Sequence, residues 1–206
     1  MKKIICLALL SLCLFSCVQN PRNNTQEKET VKPYKAIELV DTLISQYPNL
    51  YVNEVVGERF RKHLYLELDK KLTEDNSFLS EIPVCFSQML KSDSNKYLLK
   101  FDCGEYSTKD KRLLSEKSNT RINFAIFAEV DEDFASTLEN NAIYTLSGTY
   151  KGYVDGKLTL PSGRLFDYQS YCHKSEMEEY GTVCLGGFLF DKIKVTKQLE
   201  IKGQVL

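Results

Sequence analysis

Apolar residues recur with two different spacings, which predict helices early in the chain and strands later. The first helix opens at Pro33 and ends at Pro48, and its apolar stripe is Ile37, Val40, Leu43, Ile44 and Tyr47. A second helix is predicted from Glu58 to Leu72. Because its polar face mixes acidic and basic residues, we expect both helices to pack on a core rather than on a membrane surface.

Beyond Pro83 the apolar spacing changes to two, which is typical of half-buried strands. Strands are predicted at 96–103, 121–130, 142–154 and 186–195, with a helix of two to three turns from Asp131 between the second and third of them. Gly148 and Gly152 indicate bulges in the long strand, and Asp155-Gly156 indicates a hairpin through which KLTLPS pairs back onto it. The predicted fold class is α+β, with two N-terminal helices followed by a small antiparallel β-barrel.

The N-terminus has a pattern of its own, in which Lys2 and Lys3 precede the apolar run 4–15. A dozen apolar residues are too few to span the ~30 Å of a bilayer core, and a short run after a basic start is typical of a secretory signal peptide. Its end, Leu14-Phe15-Ser16-Cys17, resembles the lipobox of bacterial lipoproteins. The resemblance implies cleavage after Ser16, a lipid with palmitate on Cys17, and, with Val18 rather than Asp next, an outer-membrane position facing the periplasm.

This signal divides the chain into a signal peptide (1–16), a polar flexible tether (17–32), a helical segment (33–82) and a barrel domain (83–206). It also changes the charge, because 27 basic residues less two lysines leave 25, against 28 acidic residues, or −3. Nucleic-acid binding requires a basic stripe that this composition does not provide, so no nucleic-acid partner is expected.

The segment RINFAIFAEVDEDFASTLENNAIYTLSGTYKGYVDGKLTL, residues 121–160, resembles part of the exported OB-fold proteins of the tRNA-anticodon-binding-like type. In those proteins a strand, a short helix and a Y-x-L-x-G strand with a hairpin follow one another. The resemblance implies an OB-fold-like barrel for residues 83–206. It does not imply tRNA binding, and the two helices fall outside it.

Four cysteines remain once Cys6 and Cys13 leave with the signal and Cys17 is acylated: Cys85, Cys103, Cys172 and Cys184. Their order suggests disulfides 85–103 and 172–184, although four cysteines allow three pairings and all could instead be buried thiols. The pair Cys172-His173 near Cys184 lacks the spacing of a zinc site, so no metal or cofactor is expected.

The sequence contains no catalytic motif that we recognise. His63 is interpreted as a solvated residue of the second helix, and His173 points away from its neighbour Cys172. The acidic run 131–133 suits a helix N-terminus. We therefore expect no enzymatic activity.

Aromatic residues near the long strand and in the loop after it form the candidate ligand-binding set, although the same rings could fill the barrel: Tyr150, Tyr153, Phe166, Tyr168, Tyr171 and Tyr180. These features predict a lipid-anchored envelope protein that binds a protein or a saccharide through the barrel face and the 166–180 loop. The alternative is a periplasmic inhibitor or immunity lipoprotein that neutralises an envelope-attacking enzyme.

Overall fold

Two helices open the described part of the chain, as the apolar spacing predicts. The computed structural model describes residues 32–103, 111–154, 157–159, 165–167 and 181–198, with the backbone alone at 157, 159 and 165–167. Helix α1 is Lys35–Ile44 and helix α2 is Glu54–Glu74. Helix α2 begins before the predicted start at Glu58, because the Asn53 side chain accepts hydrogen bonds from the backbone N–H of Val55 (3.0 Å) and Val56 (3.2 Å) and caps the helix.

The remaining elements are mostly strands. The four predicted strands lie within a few residues of their expected bounds, whereas the strand at Pro83–Asp93 was not predicted. The strands are β1 Pro83–Asp93, β2 Lys96–Cys103, β3 Arg121–Asp131, β4 Ile143–Val154, β5 Lys157–Thr159, β6 Leu165–Asp167 and β7 Thr182–Lys197, with helix α3 at Glu132–Ala135. Helix α3 is a single turn rather than two or three. Just after this turn the hydroxyls of Ser136 and Thr137 donate to the backbone carbonyls of Asp133 and Phe134. Such local hydrogen bonds compete with a continuing helix.

Five strands close into a barrel with the ring order β1-β2-β3-β7-β4. Four neighbouring pairs are antiparallel, and β3 with β7 is parallel. The prediction of an antiparallel barrel is therefore wrong at this pair. The reason is one of parity, since strand directions cannot alternate all the way around a ring of five. The coarser prediction of an α+β fold is confirmed.

Strand β5 does not pair back onto β4 as the Asp155-Gly156 signal predicts. It pairs with β6 in a separate antiparallel two-stranded sheet, in which Lys157 lies opposite Asp167 and Thr159 opposite Leu165. The connection from β4 to β7 thus contains a small hairpin of its own.

The barrel interior and the buried faces of α1 and α2 belong to one hydrophobic core. The rings of Phe101 on β2 and Tyr144 on β4, two strands that are not neighbours in the ring, lie 6.3 Å apart between centroids and mark the interior. Helix α2 contributes its stripe of fully buried residues, Phe60, Leu64, Leu68 and Leu72. The predicted helical segment and the barrel therefore share a core.

Bulges bend the two longest strands. The pairing of β4 with β7 shifts register next to Gly148 and between Tyr150 and Gly152, in agreement with the predicted bulges. On β7 the register to β3 shifts just before Gly186, whose φ is 102°. A Cβ atom at Gly186 would lie 2.2 Å from Cε2 of Tyr153, so only glycine allows this ring to lie against the strand.

We expect Gly186→Ala to lower the free energy of unfolding by about 2–4 kcal/mol, because the methyl group meets the Tyr153 ring at a backbone conformation that L-residues disfavour. The matched control is Gly57→Ala inside α2, where a Cβ would lie 3.5 Å from the Leu50 carbonyl oxygen, an ordinary contact. The free energy of unfolding of this control should rise by about 0.5–1 kcal/mol, because alanine favours a helix more than glycine does. Equilibrium urea unfolding measures both changes, and an unaltered midpoint for Gly186→Ala would contradict the assignment.

Candidate functional site

Two of the six aromatic residues predicted to bind a ligand, Tyr150 and Tyr153, lie on β4 where α2 packs against the barrel. The Tyr150 hydroxyl donates to Oδ1 of Asp69 on α2 at 2.7 Å. The ring of Tyr153 lies 4.8 Å from that of Tyr65 on α2 and 6.0 Å from that of Phe188 on β7, between centroids. Both tyrosines are half-buried. They join the helix to the barrel.

The other predicted ligand residues fall where the structure gives little or no side-chain description. Phe166 is described by its backbone alone, in β6, and Tyr168, Tyr171 and Tyr180 lie outside the described residues. Their role in binding stays a prediction.

Burial and the bond to Asp69 together raise the pKa of the Tyr150 phenol well above its usual range. Burial is the larger cause, because it disfavours the phenolate, and the nearby carboxylate disfavours it further. Tyr150 is therefore a neutral hydrogen-bond donor at every physiological pH, which suits a structural joint.

The outer surface of strands β2 and β3 carries a second, smaller hydrophobic cluster. It is built from Leu98, Ala125, Phe127 and Val154, all buried, with Leu90, Leu158 and Leu189 packed against it. Leu158 lies on β5, so the hairpin β5–β6 covers part of this surface. We call the outward-facing residues of β2 and β3 the outer β2–β3 face.

A buried ion pair lies on the same face of β2. The Lys100 ammonium is 2.8 Å from Oδ1 and 2.9 Å from Oδ2 of Asp102, and the Lys100 side chain is only 2% exposed. A buried lysine requires such a partner, because an unpaired charge away from water is costly. Sequence reasoning missed this pair. The Lys-Phe-Asp spacing puts both charges on one strand face, and that face is ordinarily assigned to solvent.

The predicted disulfide between Cys85 and Cys103 is wrong, since both side chains are thiols. Cys85 pairs across the strands with Asp102 and so shares its outward face, whereas the next residue, Cys103, points into the core. The sheet lies between the two sulfurs. Cys184 is disulfide-bonded, and because its predicted partner Cys172 lies outside the described residues, the 172–184 pairing stays a prediction.

Burial raises the pKa of the Cys85 thiol, and the nearby Asp102 carboxylate raises it further. A nucleophilic cysteine requires the opposite shift, since the thiolate is the reactive form. Cys85 is therefore poorly suited to attack a substrate.

His63, which lies within the described residues, makes a contact between two structural elements. Nδ1 of His63 is 2.9 Å from the Tyr47 hydroxyl, and Nε2 is 3.9 Å from Oε1 of Glu67. Tyr47 follows α1 and His63 lies on α2, so this contact ties the two helices together instead of leaving the histidine solvated on its own.

A serine–aspartate cluster fixes the loop before β3 to α1. Oδ1 of Asp41 accepts hydrogen bonds from the hydroxyls of Ser115 (2.5 Å) and Ser118 (2.8 Å), and Ser115 is buried. The Ser115 oxygen also accepts from the backbone N–H of Lys117 and Ser118. The Ser115 hydroxyl therefore makes all of these hydrogen bonds at the centre of a turn.

No group of three or more potential metal ligands occurs among the residues that the structure describes. Within the same ranges, neither α1 nor α2 is long and apolar enough to cross a bilayer. No family model matches the chain, and neither the curated proteins nor the solved structures contain a significant match.

We expect Tyr150→Phe to lower the free energy of unfolding by about 1 kcal/mol at neutral pH, because Asp69 loses its hydrogen-bond donor. The raised pKa makes this contribution complete below the unfolded-state pKa of about 10 and weaker above it, so the difference from the unaltered chain should shrink as the pH rises past that value. Urea unfolding at several pH values measures this difference.

The matched control is Tyr97→Phe, which removes a hydroxyl from another half-buried tyrosine. It should lower the free energy of unfolding by less than Tyr150→Phe does. An equal effect of the two substitutions would contradict the assignment of Tyr150 to the joint.

Proposed function

We propose that the barrel is an OB-fold and that the chain is a lipid-anchored, non-catalytic envelope protein that binds a protein or a saccharide. The observation that carries this proposal is the strand order of the barrel. We call residues 155–181, between β4 and β7, the β4–β7 connection. The anchor at Cys17 rests on the lipobox pattern, as does the outer-membrane position facing the periplasm.

The strand topology supports the OB-fold. Strands β1, β2 and β3 form a meander and β4 returns to pair with β1, which is a Greek key. Strand β7 then closes the ring between β3 and β4. Helix α3 lies between the third and fourth strands, in the position that the OB-fold layout requires. OB-folds are five-stranded Greek-key barrels.

The same topology suggests where a ligand binds. OB-folds bind oligosaccharides and oligonucleotides on the face of their second and third strands and on the loops beside it. In this chain the centre of the outer β2–β3 face is buried, and Leu158 of the hairpin packs against it. We therefore propose that the ligand contacts the β4–β7 connection, which carries Phe166, Tyr168, Tyr171 and Tyr180.

The settings of the nucleophiles and of the described histidine support a non-catalytic role. The thiol of Cys85 has a raised pKa, and the Ser115 hydroxyl donates a hydrogen bond to Asp41 at the centre of a turn. The nearest partners of His63 are Tyr47 and Glu67, which places it in a contact between helices. Cys85, Ser115 and His63 are therefore each assigned a structural role.

We expect cells that produce the chain to incorporate radioactive palmitate into it, and Cys17→Ala to abolish the label, because the Cys17 sulfur carries the lipid. The matched control is Cys13→Ala, which changes a cysteine of the apolar run and should keep the label. Labelling that persists in Cys17→Ala would contradict the anchor.

We expect the unaltered chain, after crosslinking in the envelope and solubilisation in detergent, to retain a specific protein or saccharide. Tyr168→Ala with Tyr171→Ala should reduce the retained amount by about tenfold, since aromatic side chains dominate such contacts. The control is Tyr51→Ala, which removes an exposed tyrosine side chain, 37% accessible, from the turn between α1 and α2.

Equal retention by both variants would contradict the assignment of the β4–β7 connection. Turnover of a retained saccharide or peptide would contradict the non-catalytic role. Inhibition of a retained enzyme would instead support the inhibitor alternative.

A further inference from the structure

Helix α2 exposes a second regular stripe, opposite the one it buries. Its residues are separated by steps of four, three, four and four, which place them on one face of an α-helix: Val55, Arg59, Lys62, Leu66 and Lys70. All five are exposed, whereas Phe60, Leu64, Leu68 and Leu72 on the other face are fully buried. We call these five residues the α2 ridge.

The apolar members of the ridge are unusually open to solvent. Leu66 is 70% exposed, Val55 is 57% exposed, and Val52 just before the helix is 82% exposed. Within the described ranges, four of the five large exposed apolar residues lie on α2 or in the turn before it, and Met89 on β1 is the fifth. Arg59 and Lys62 lie between Val55 and Leu66, so aliphatic and basic side chains alternate along this face.

The charged members of the ridge are all basic, although the helix as a whole carries both signs. Asp69 lies to one side and accepts the Tyr150 hydroxyl, and Glu67 lies to the other side near His63. The exposed Glu58 flanks the ridge on the same side as Asp69. The helix therefore separates the acidic and basic residues that are mixed in the sequence. Arg59, Lys62 and Lys70 lie along one line on the ridge, together with its aliphatic side chains.

We propose that the α2 ridge rests on an anionic phospholipid surface. Lysine and arginine are attracted to anionic headgroups, and aliphatic side chains beside them insert at the boundary of the acyl chains. A protein partner is the less suitable occupant, because protein contacts centre on aromatic residues enclosed in pockets, whereas this ridge is aliphatic and protrudes. The proposal rests on the proposed lipid anchor, which brings the chain to such a surface.

The chain contains no tryptophan, so Leu66→Trp introduces a single fluorescent reporter on the ridge. The full chain is reconstituted into vesicles of phosphatidylcholine alone or with added phosphatidylglycerol, each with a brominated lipid as quencher. We expect a blue shift and quenching in the anionic vesicles, with neither in the neutral ones, and reversal by high salt. Met89→Trp is the matched control and should show no quenching in either.

Charge reversal in the Leu66→Trp chain tests the basic residues. Lys62→Glu with Lys70→Glu should reduce the docked fraction by about tenfold or more, because each basic residue contributes several-fold near an anionic surface. Lys91→Glu with Lys194→Glu makes the same charge change at exposed positions on β1 and β7 and should leave the quenching unchanged.

Flotation of the whole chain with the vesicles reports the N-terminal anchor, whereas quenching at position 66 reports the ridge, so the two proposals fail separately. Flotation without quenching at position 66, or equal quenching at position 89, would overturn the ridge proposal. A shift of the emission by polyglutamate but not by anionic vesicles would assign the ridge to an acidic polypeptide and overturn it as well.

Discussion

Strand β7 pairs along both of its edges, and the rest of the structure depends on those pairings. Its parallel register to β3 and its antiparallel register to β4 close the ring, because β3 and β4 have no direct pairing in the barrel. The bulge at Gly186 lets Tyr153 lie against the strand, and Tyr153 in turn stacks with Tyr65 of α2. The Tyr153 ring therefore contacts both the strand that closes the ring and the helix that packs on the barrel.

The sheet is buried on both faces over part of its area. The inner face shares its core with α1 and α2, and the centre of the outer β2–β3 face is buried in a smaller cluster that includes Leu158 of the hairpin. Exposure of the Phe127 ring to water would be unfavourable, and Leu158 of the hairpin packs against the cluster that contains it. That covering explains why β3 alternates so weakly between apolar and polar residues.

The sequence pattern predicted the elements whose signals are local, and missed those that depend on distant partners. Alternation located β3 and β4, and Gly148 and Gly152 marked bulges, because side-chain direction and backbone freedom are properties of the strand itself. The parallel partner of β3 lies far along the chain in β7, and the pairing of β5 with β6 instead of β4 depends on a choice between partners that alternation within one strand does not report. Tyr150 and Tyr153 illustrate the same limit, since their aromatic character was visible while their partners on α2 were not.

Helix α2 links the two proposed surfaces, because one flank of the helix contacts β4 while the ridge stays exposed. That flank holds β4 by the hydrogen bond from Tyr150 to Asp69 and by the contact of the Tyr65 ring with that of Tyr153. Strand β4 ends at Val154 and leads directly into the β4–β7 connection. Because these two contacts join α2 to the barrel, the helix and the barrel have one common orientation. If the ridge docks on a bilayer, the barrel is then held at one angle to that surface.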